Sequence, residues 1–208
     1  MKTESQISSI SKRIADAPYG SAFTIADFTD IADYETAKKS IARLEKKGVL
    51  RRVLRGVYDK PQFSTLLQEY ATPDPNQIAE AIARSHNWTI SATGSTALNM
   101  LGLSTQVPAK WEYISSGPYK QYQFGNTIIN FEHRSDNQLT GMSHETRLLI
   151  QAIKAIGRNG MTDSNMEKLR KAFPQASYQM VLEESCRTMR WIQSTIKELR
   201  EGQSPNCP

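Results

Sequence analysis

YETAKKSIARLEKKGVLRRVLRGVY, residues 34–58, reads as a lysine-rich helix, a glycine stop and a short arginine-studded hairpin. Asp33 stands where an N-cap carboxylate accepts free backbone N–H groups, and Gly48 where a left-handed residue ends a helix. A helix is therefore predicted over residues 34–47. Ala37, Ile41 and Leu44 follow one another at helical spacing and share the face that must be buried. At about 100° per residue the opposite face carries Glu35, Lys39, Ala42, Arg43 and Lys46, flanked by Thr36, Lys38, Ser40 and Lys47. On an isolated helix such a face is ordinarily only solvated. Here the small residues between the charges let a helix enter a groove about 12 Å wide, with the cations reaching phosphates or guanine edges.

The residues just downstream of the helix strengthen the nucleic-acid reading. Residues 49–53 have β-branched, strand-like content, Leu54-Arg55-Gly56 can turn, and Val57-Tyr58 can pair back. So short a ribbon needs packing against helices, which Leu50, Val53 and Tyr58 can supply, while Arg52 and Arg55 project near the tip and Arg51 lies on the first strand. From Lys38 to Lys60 nine Lys or Arg face two acids, Glu45 and Asp59, a surplus of seven where the whole chain carries only +5. Charge so concentrated is the electrostatic footprint of a nucleic-acid binder. The expected DNA-contacting set is Thr36, Lys38, Lys39, Ser40, Arg43, Lys46, Arg51, Arg52 and Arg55.

Upstream, Ile7, Ile10 and Ile14 mark a first helix over residues 5–16, ended by Pro18-Tyr19-Gly20. Thr24 followed by Asp27 resembles a capping box, so residues 22–33 are predicted to be the first helix and turn of a helix-turn-helix. With the hairpin as wing, residues 1–61 then form a winged helix-turn-helix around Phe23, Phe28, Ile31, Ile41 and Leu44. Pro61 marks the domain edge.

Periodicity restarts near Leu66, and Asp74-Pro75 opens a helix running to about His86. Strand signals come next at residues 88–92, 111–115, 119–124 and 127–133, the last two joined by Gly125-Asn126. Helical patterns occupy residues 95–101, 143–157, 162–173 and 177–199, the last with a break near Ser185. The expected fold is thus α+β: the winged helix, then an α+β domain over 62–201 with a small, mainly antiparallel sheet and C-terminal helices, and a disordered tail over 202–208. Beyond residue 60 fourteen cations balance thirteen acids, so this part needs no polyanion.

Composition sets the remaining bounds. The 208 residues suit one large or two small domains, with 38% hydrophobic and 23% charged residues. No apolar run approaches the about 20 residues of a membrane span and residues 1–5 begin no signal peptide, so a cytoplasmic protein without a membrane partner is expected. Cys186 and Cys207 make neither a disulfide framework nor a metal pair.

Catalytic patterns are weak. His86, His133 and His144 stand apart without ligand spacing. Gly94-Ser95 after a strand is the pair that opens a nucleotidyltransferase site, but that chemistry needs two carboxylates at alternate strand positions, and Lys110-Trp111-Glu112-Tyr113 offers one. With no phosphate-cradling glycine loop and no nucleophile elbow, the chain is expected not to be an enzyme and to need no cofactor. An enzyme acting on nucleic acid would have to lose turnover on mutation of Glu112 or His133.

Gly20-Ser21-Ala22-Phe23-Thr24 with Asp27-Phe28, Ala42-Arg43-Leu44 through Gly48, and the continuous run Arg51 to Pro61 together resemble the AbiEi-like antitoxins of abortive-infection systems, in a branch known as a domain of unknown function. The likeness continues through Pro73-Asp74-Pro75, Gly94 to Leu103, Gln106 to Lys110 and Ser116-Gly117-Pro118, so it covers about residues 5–160. The resemblance implies the antitoxin of a bacterial type IV toxin–antitoxin pair. Such antitoxins repress their own operon through the winged helix and oppose a nucleotidyltransferase-like toxin through the second domain without a stable complex. One winged helix reads few base pairs, so double-stranded DNA with inverted repeats in its own promoter, occupied by two copies, is the expected partner. A plain transcriptional regulator with a ligand-sensing or dimerising second domain is the alternative.

Overall fold

The computed structural model describes residues 2–135, 139, 141–173 and 178–201, with side chains from Ser5 onward. The expected disordered tail, 202–208, lies outside the described residues. The chain divides into two compact units, Met1–Trp88 with Gln123–Thr127, and Thr89–Tyr122 with Ile128–Pro208.

In the first unit α1 (Lys2–Asp16) buries Ile10 and Ile14 and packs against α2 (Tyr34–Lys46). Strands β1 (Ala22–Thr24), β2 (Arg51–Leu54) and β3 (Val57–Asp59) form an antiparallel sheet in the order β1-β3-β2. Both helices and the sheet close over Phe23, Phe28, Ala32, Ala37, Ile41 and Leu50, with Ile31, Leu44 and Tyr58 at the margin. The predicted core residues are all present.

The helix predicted over residues 22–33 is corrected. Ala22, Phe23 and Thr24 are buried and spend their backbone groups on β3, leaving a single 3-10 turn, Ile25–Phe28. Its capping logic stands, because the Asp27 carboxylate accepts from the Thr24 N–H at 2.7 Å and from its hydroxyl at 3.0 Å.

The boundary at Pro61 is corrected as well. After a two-stranded ribbon, β4 (Phe63–Ser64) with β5 (Glu69–Tyr70), comes α3 (Pro75–Ser85), whose N-cap Asp74 accepts from the Asn76 N–H. Instead of starting a second core, α3 lies against β1, β3 and the 3-10 turn. Arg84 ties it there, donating to the Asp27 carboxylate and the Ala22 carbonyl, both at 3.0 Å. Its Ile78 and Ile82 are buried, whereas Leu66, where the apolar pattern restarts, is 90% exposed.

The second unit is built on β6 (Ile90–Ala92), β7 (Lys110–Ser115), β8 (Lys120–Phe124) and β9 (Thr127–His133), in the order β6-β7-β9-β8. β6 runs antiparallel to β7, but β7 and β9 are parallel, so the sheet is mixed. Trp111, Tyr113, Ile129 and Phe131 are buried, and Tyr122 meets Phe131 edge-on across the strands with ring centroids 5.9 Å apart. The helix α4 (Gly94–Met100) packs on β7 and on α5 (His144–Ile156), and α5 also lies against β6. Around α5 come α6 (Asp163–Ala172), α7 (Tyr178–Glu184) and α8 (Arg190–Glu201), with a 3-10 turn, Ser185–Arg187, at the expected break. The α5 N-cap, Ser143, is held by α7, since the Glu184 carboxylate accepts from the Ser143 N–H and hydroxyl, each at 2.8 Å, and from the Thr146 hydroxyl. Burial pushes that carboxyl up, but these donors outweigh it and hold it below its ordinary value. Among the described residues no helix is long and apolar enough to cross a membrane.

Candidate nucleic-acid interface

The α2 helix starts as its sequence demands. Asp33 accepts from the Thr36 N–H at 3.0 Å and hydroxyl at 2.8 Å, and these bonds lower its pKa. It ends at Gly48, whose φ of +71° only glycine adopts cheaply, while the Val49 and Leu50 N–H groups return to the Leu44 carbonyl. That reversal sends the chain straight into β2 and delivers the hairpin directly after the helix.

Between these stops Lys39, Arg43 and Lys46 form one exposed stripe, four and then three residues apart, with the exposed Ala42 beside it. Lys47 is exposed at the C-cap, Arg52 on β2 and Arg55 at the turn. Among the described residues none of these six cations has an ion pair or side-chain hydrogen bond. Lys38 is exposed but engaged, 3.7 Å from Glu35 and over the Tyr34 ring. Thr36 is half-buried, its hydroxyl spent on Asp33.

Two expected contact residues are placed elsewhere. Ser40 is 2% exposed because it falls between Ala37 and Leu44 within the buried stripe, and its hydroxyl donates to the Thr36 carbonyl at 2.8 Å. Arg51 stands opposite Asp59 in the β2–β3 register and donates to both its carboxylate oxygens, at 3.0 and 2.5 Å, and to the Ala71 carbonyl. Since Asp59 is 1% exposed, the Arg51 guanidinium is committed to neutralising a buried charge. Arg52, one residue on, faces the other way.

In the second unit Gly94 opens α4, and Glu112 and Glu132 line one open cleft with Thr93 and Lys120. Among the described residues no three His, Cys, Asp or Glu groups come together as a metal site. A separate cavity of about 400 Å³ lies between α5 and residues 183–189. No sequence motif marks its Gln151 and Lys154, although a glutamine inside Leu148-Leu149-Ile150-Gln151-Ala152-Ile153 is a signal, since an apolar run has no use for an amide unless something bonds it.

Fold and surface together define a two-unit α+β chain with a concentrated, unpaired basic face on its first unit. The chain belongs to the Family of unknown function (DUF6088), whose family model matches residues 9–181. It is also similar, at 15% identity and a TM-score of 0.39, to the crystal structure of the RV2827C protein from Mycobacterium tuberculosis, over 95% of this chain and 81% of that one. No curated protein matches it.

Proposed function

We propose that the first unit is a winged helix-turn-helix that binds double-stranded DNA, with α2 as recognition helix and the β2–β3 hairpin as wing. The observation that carries this reading is the set of six unpaired, exposed cations Lys39, Arg43, Lys46, Lys47, Arg52 and Arg55 on one helix and the hairpin next to it in the chain. Like charges held together without counter-ions repel, and a phosphate backbone relieves that repulsion while releasing its own condensed ions. Lys38 joins them at the edge. In the cytoplasm the protein represses its own operon by occupying inverted repeats, and acts as the antitoxin to a nucleotidyltransferase-like toxin without a stable complex. Its role is binding, not catalysis. The antitoxin part rests on the resemblance of residues 5–160 to the AbiEi-like proteins. The cavity beside α5 favours a second reading, a regulator whose second unit senses a small ligand.

The test pairs two measurements on the full chain. Fluorescence anisotropy with DNA from upstream of its gene should give affinity that falls linearly in log–log against salt and exceeds that for scrambled DNA. No salt dependence overturns the DNA reading, and equal affinity for both sequences overturns recognition of its own operator. Co-expression with a neighbouring nucleotidyltransferase gene should restore growth. A toxic neighbour that the protein leaves toxic removes the antitoxin role and leaves the regulator.

A further inference from the structure

We propose that the cavity between α5 and residues 183–189 binds a small organic anion, its charged head on Lys154 and Gln151 and its apolar body against Met142, Ile150 and Met189. The cavity, about 400 Å³, has the size of a small-molecule site. Gln151 lines it and is only 7% exposed, yet its amide has no hydrogen-bond partner among the described residues. The amide is not among the fully buried unbonded polar atoms, so it opens into the cavity, where a ligand atom can bond it. Lys154 lies three residues on, on the same face of α5, half-buried and without an ion pair among the described residues.

The acids nearby do not answer that lysine. Glu184 is occupied by Ser143 and Thr146, and the exposed Glu183 accepts from the Gln179 amide at 2.8 Å. Arg147 lines the cavity as well, its guanidinium held in the wall by donating to the Leu139 and Met142 carbonyls. Burial, and then the field of Arg134, pushes the Lys154 ammonium below its ordinary range, as expected of a cation lacking its counter-charge. The exposed Arg187 at the rim adds a third positive group. With Arg147, Lys154 and Arg187 against Glu183 and Glu184 in the lining, the balance favours an anion over a cation, the cavity is too small for a polymer, and the apolar wall rewards a hydrophobic body.

The site lies wholly in the second unit and does not depend on the DNA reading. Phenyl phosphate, 3-phenylpropionate, inorganic phosphate and benzyl alcohol are titrated into the full chain by calorimetry, without DNA. At least one of the two aromatic anions should bind, more tightly than inorganic phosphate or benzyl alcohol, and raise the melting temperature. Which of them binds better separates a phosphate ester from a carboxylate. Lys154→Met and Gln151→Leu should each weaken binding about tenfold. The Lys154 side-chain NMR resonance of the unsubstituted protein should also shift on ligand addition, a readout that needs no variant to fold. Failure of both aromatic anions to bind at about 10 mM, equal binding by benzyl alcohol, unchanged affinity in both variants, or a silent Lys154 resonance overturns the proposal.

Discussion

The segment from α2 to β3 and the cavity beside α5 both hold cations without counter-charges among the described residues, but in opposite settings. On the first, six such cations stand in solvent along one helix and its adjoining hairpin. In the second, Lys154 is half-buried beside Gln151, whose amide opens into the cavity without a hydrogen-bond partner among the described residues. Exposed charges are cheap one at a time, and only their number makes a field, so the ligand proposed for them is a polymer with many phosphates. A half-buried charge is costly by itself, and a single small anion answers it. Arg51 shows a third outcome within the same stretch of sequence: an arginine whose counter-charge is already supplied, by Asp59.

The contrast breaks most visibly if the solvent-exposed cluster is removed. Replacing Lys39, Arg43, Arg52 and Arg55 together by alanine should lower the salt slope of DNA binding by roughly three to four, at about 0.9 per phosphate contact, and abolish tight binding. The fold should be untouched, because none of these side chains bonds to the rest of the protein among the described residues. A wild-type slope in this variant would mean the cluster does not meet the backbone.

Arg51→Met should do the reverse. It strands a carboxylate that is 1% exposed, at a cost of about 3 kcal/mol in urea unfolding, and should leave the salt slope alone. A stable Arg51 variant whose slope falls by about one would return Arg51 to the DNA-contacting set.

The smallest effect is in acid. Arg13 hydrogen-bonds Asp30, and the Thr36 N–H and hydroxyl bond Asp33, holding both carboxyls below their ordinary value of 3.8. A depressed carboxyl stabilises the fold fully above its unfolded pKa, and that stability is lost as pH falls through the lower folded value. The first unit should therefore weaken below pH 3.8, shallowly because both groups are exposed. Asp33→Asn, which keeps a cap but cannot titrate, should flatten part of the slope. An unchanged acid profile in that variant would mean that Asp33 contributes nothing to the acid sensitivity.

Much of the architecture was legible in the sequence because it is local chemistry. Asp33 and Gly48 bound α2, the apolar spacing of Ala37, Ile41 and Leu44 orients it, and Gly125-Asn126 turns β8 into β9, each within a few residues of chain. The exposure of Lys39, Arg43 and Lys46 comes from the same spacing. What only the tertiary structure decided depends on partners distant in sequence. Ala22–Thr24 is a strand because β3, distant in sequence, arrives to pair with it, while the Thr24–Asp27 pair opens only the 3-10 turn that follows. The first unit runs past Pro61 because α3 finds its partners in β1 and β3, and a hydrophobic pattern shows that a face is buried without showing against what. Arg51 and Arg52 are adjacent and identical in sequence. One neutralises Asp59 and the other stands in solvent, since the two faces of a strand meet different surroundings and the register that brings Asp59 opposite Arg51 exists only in the folded sheet.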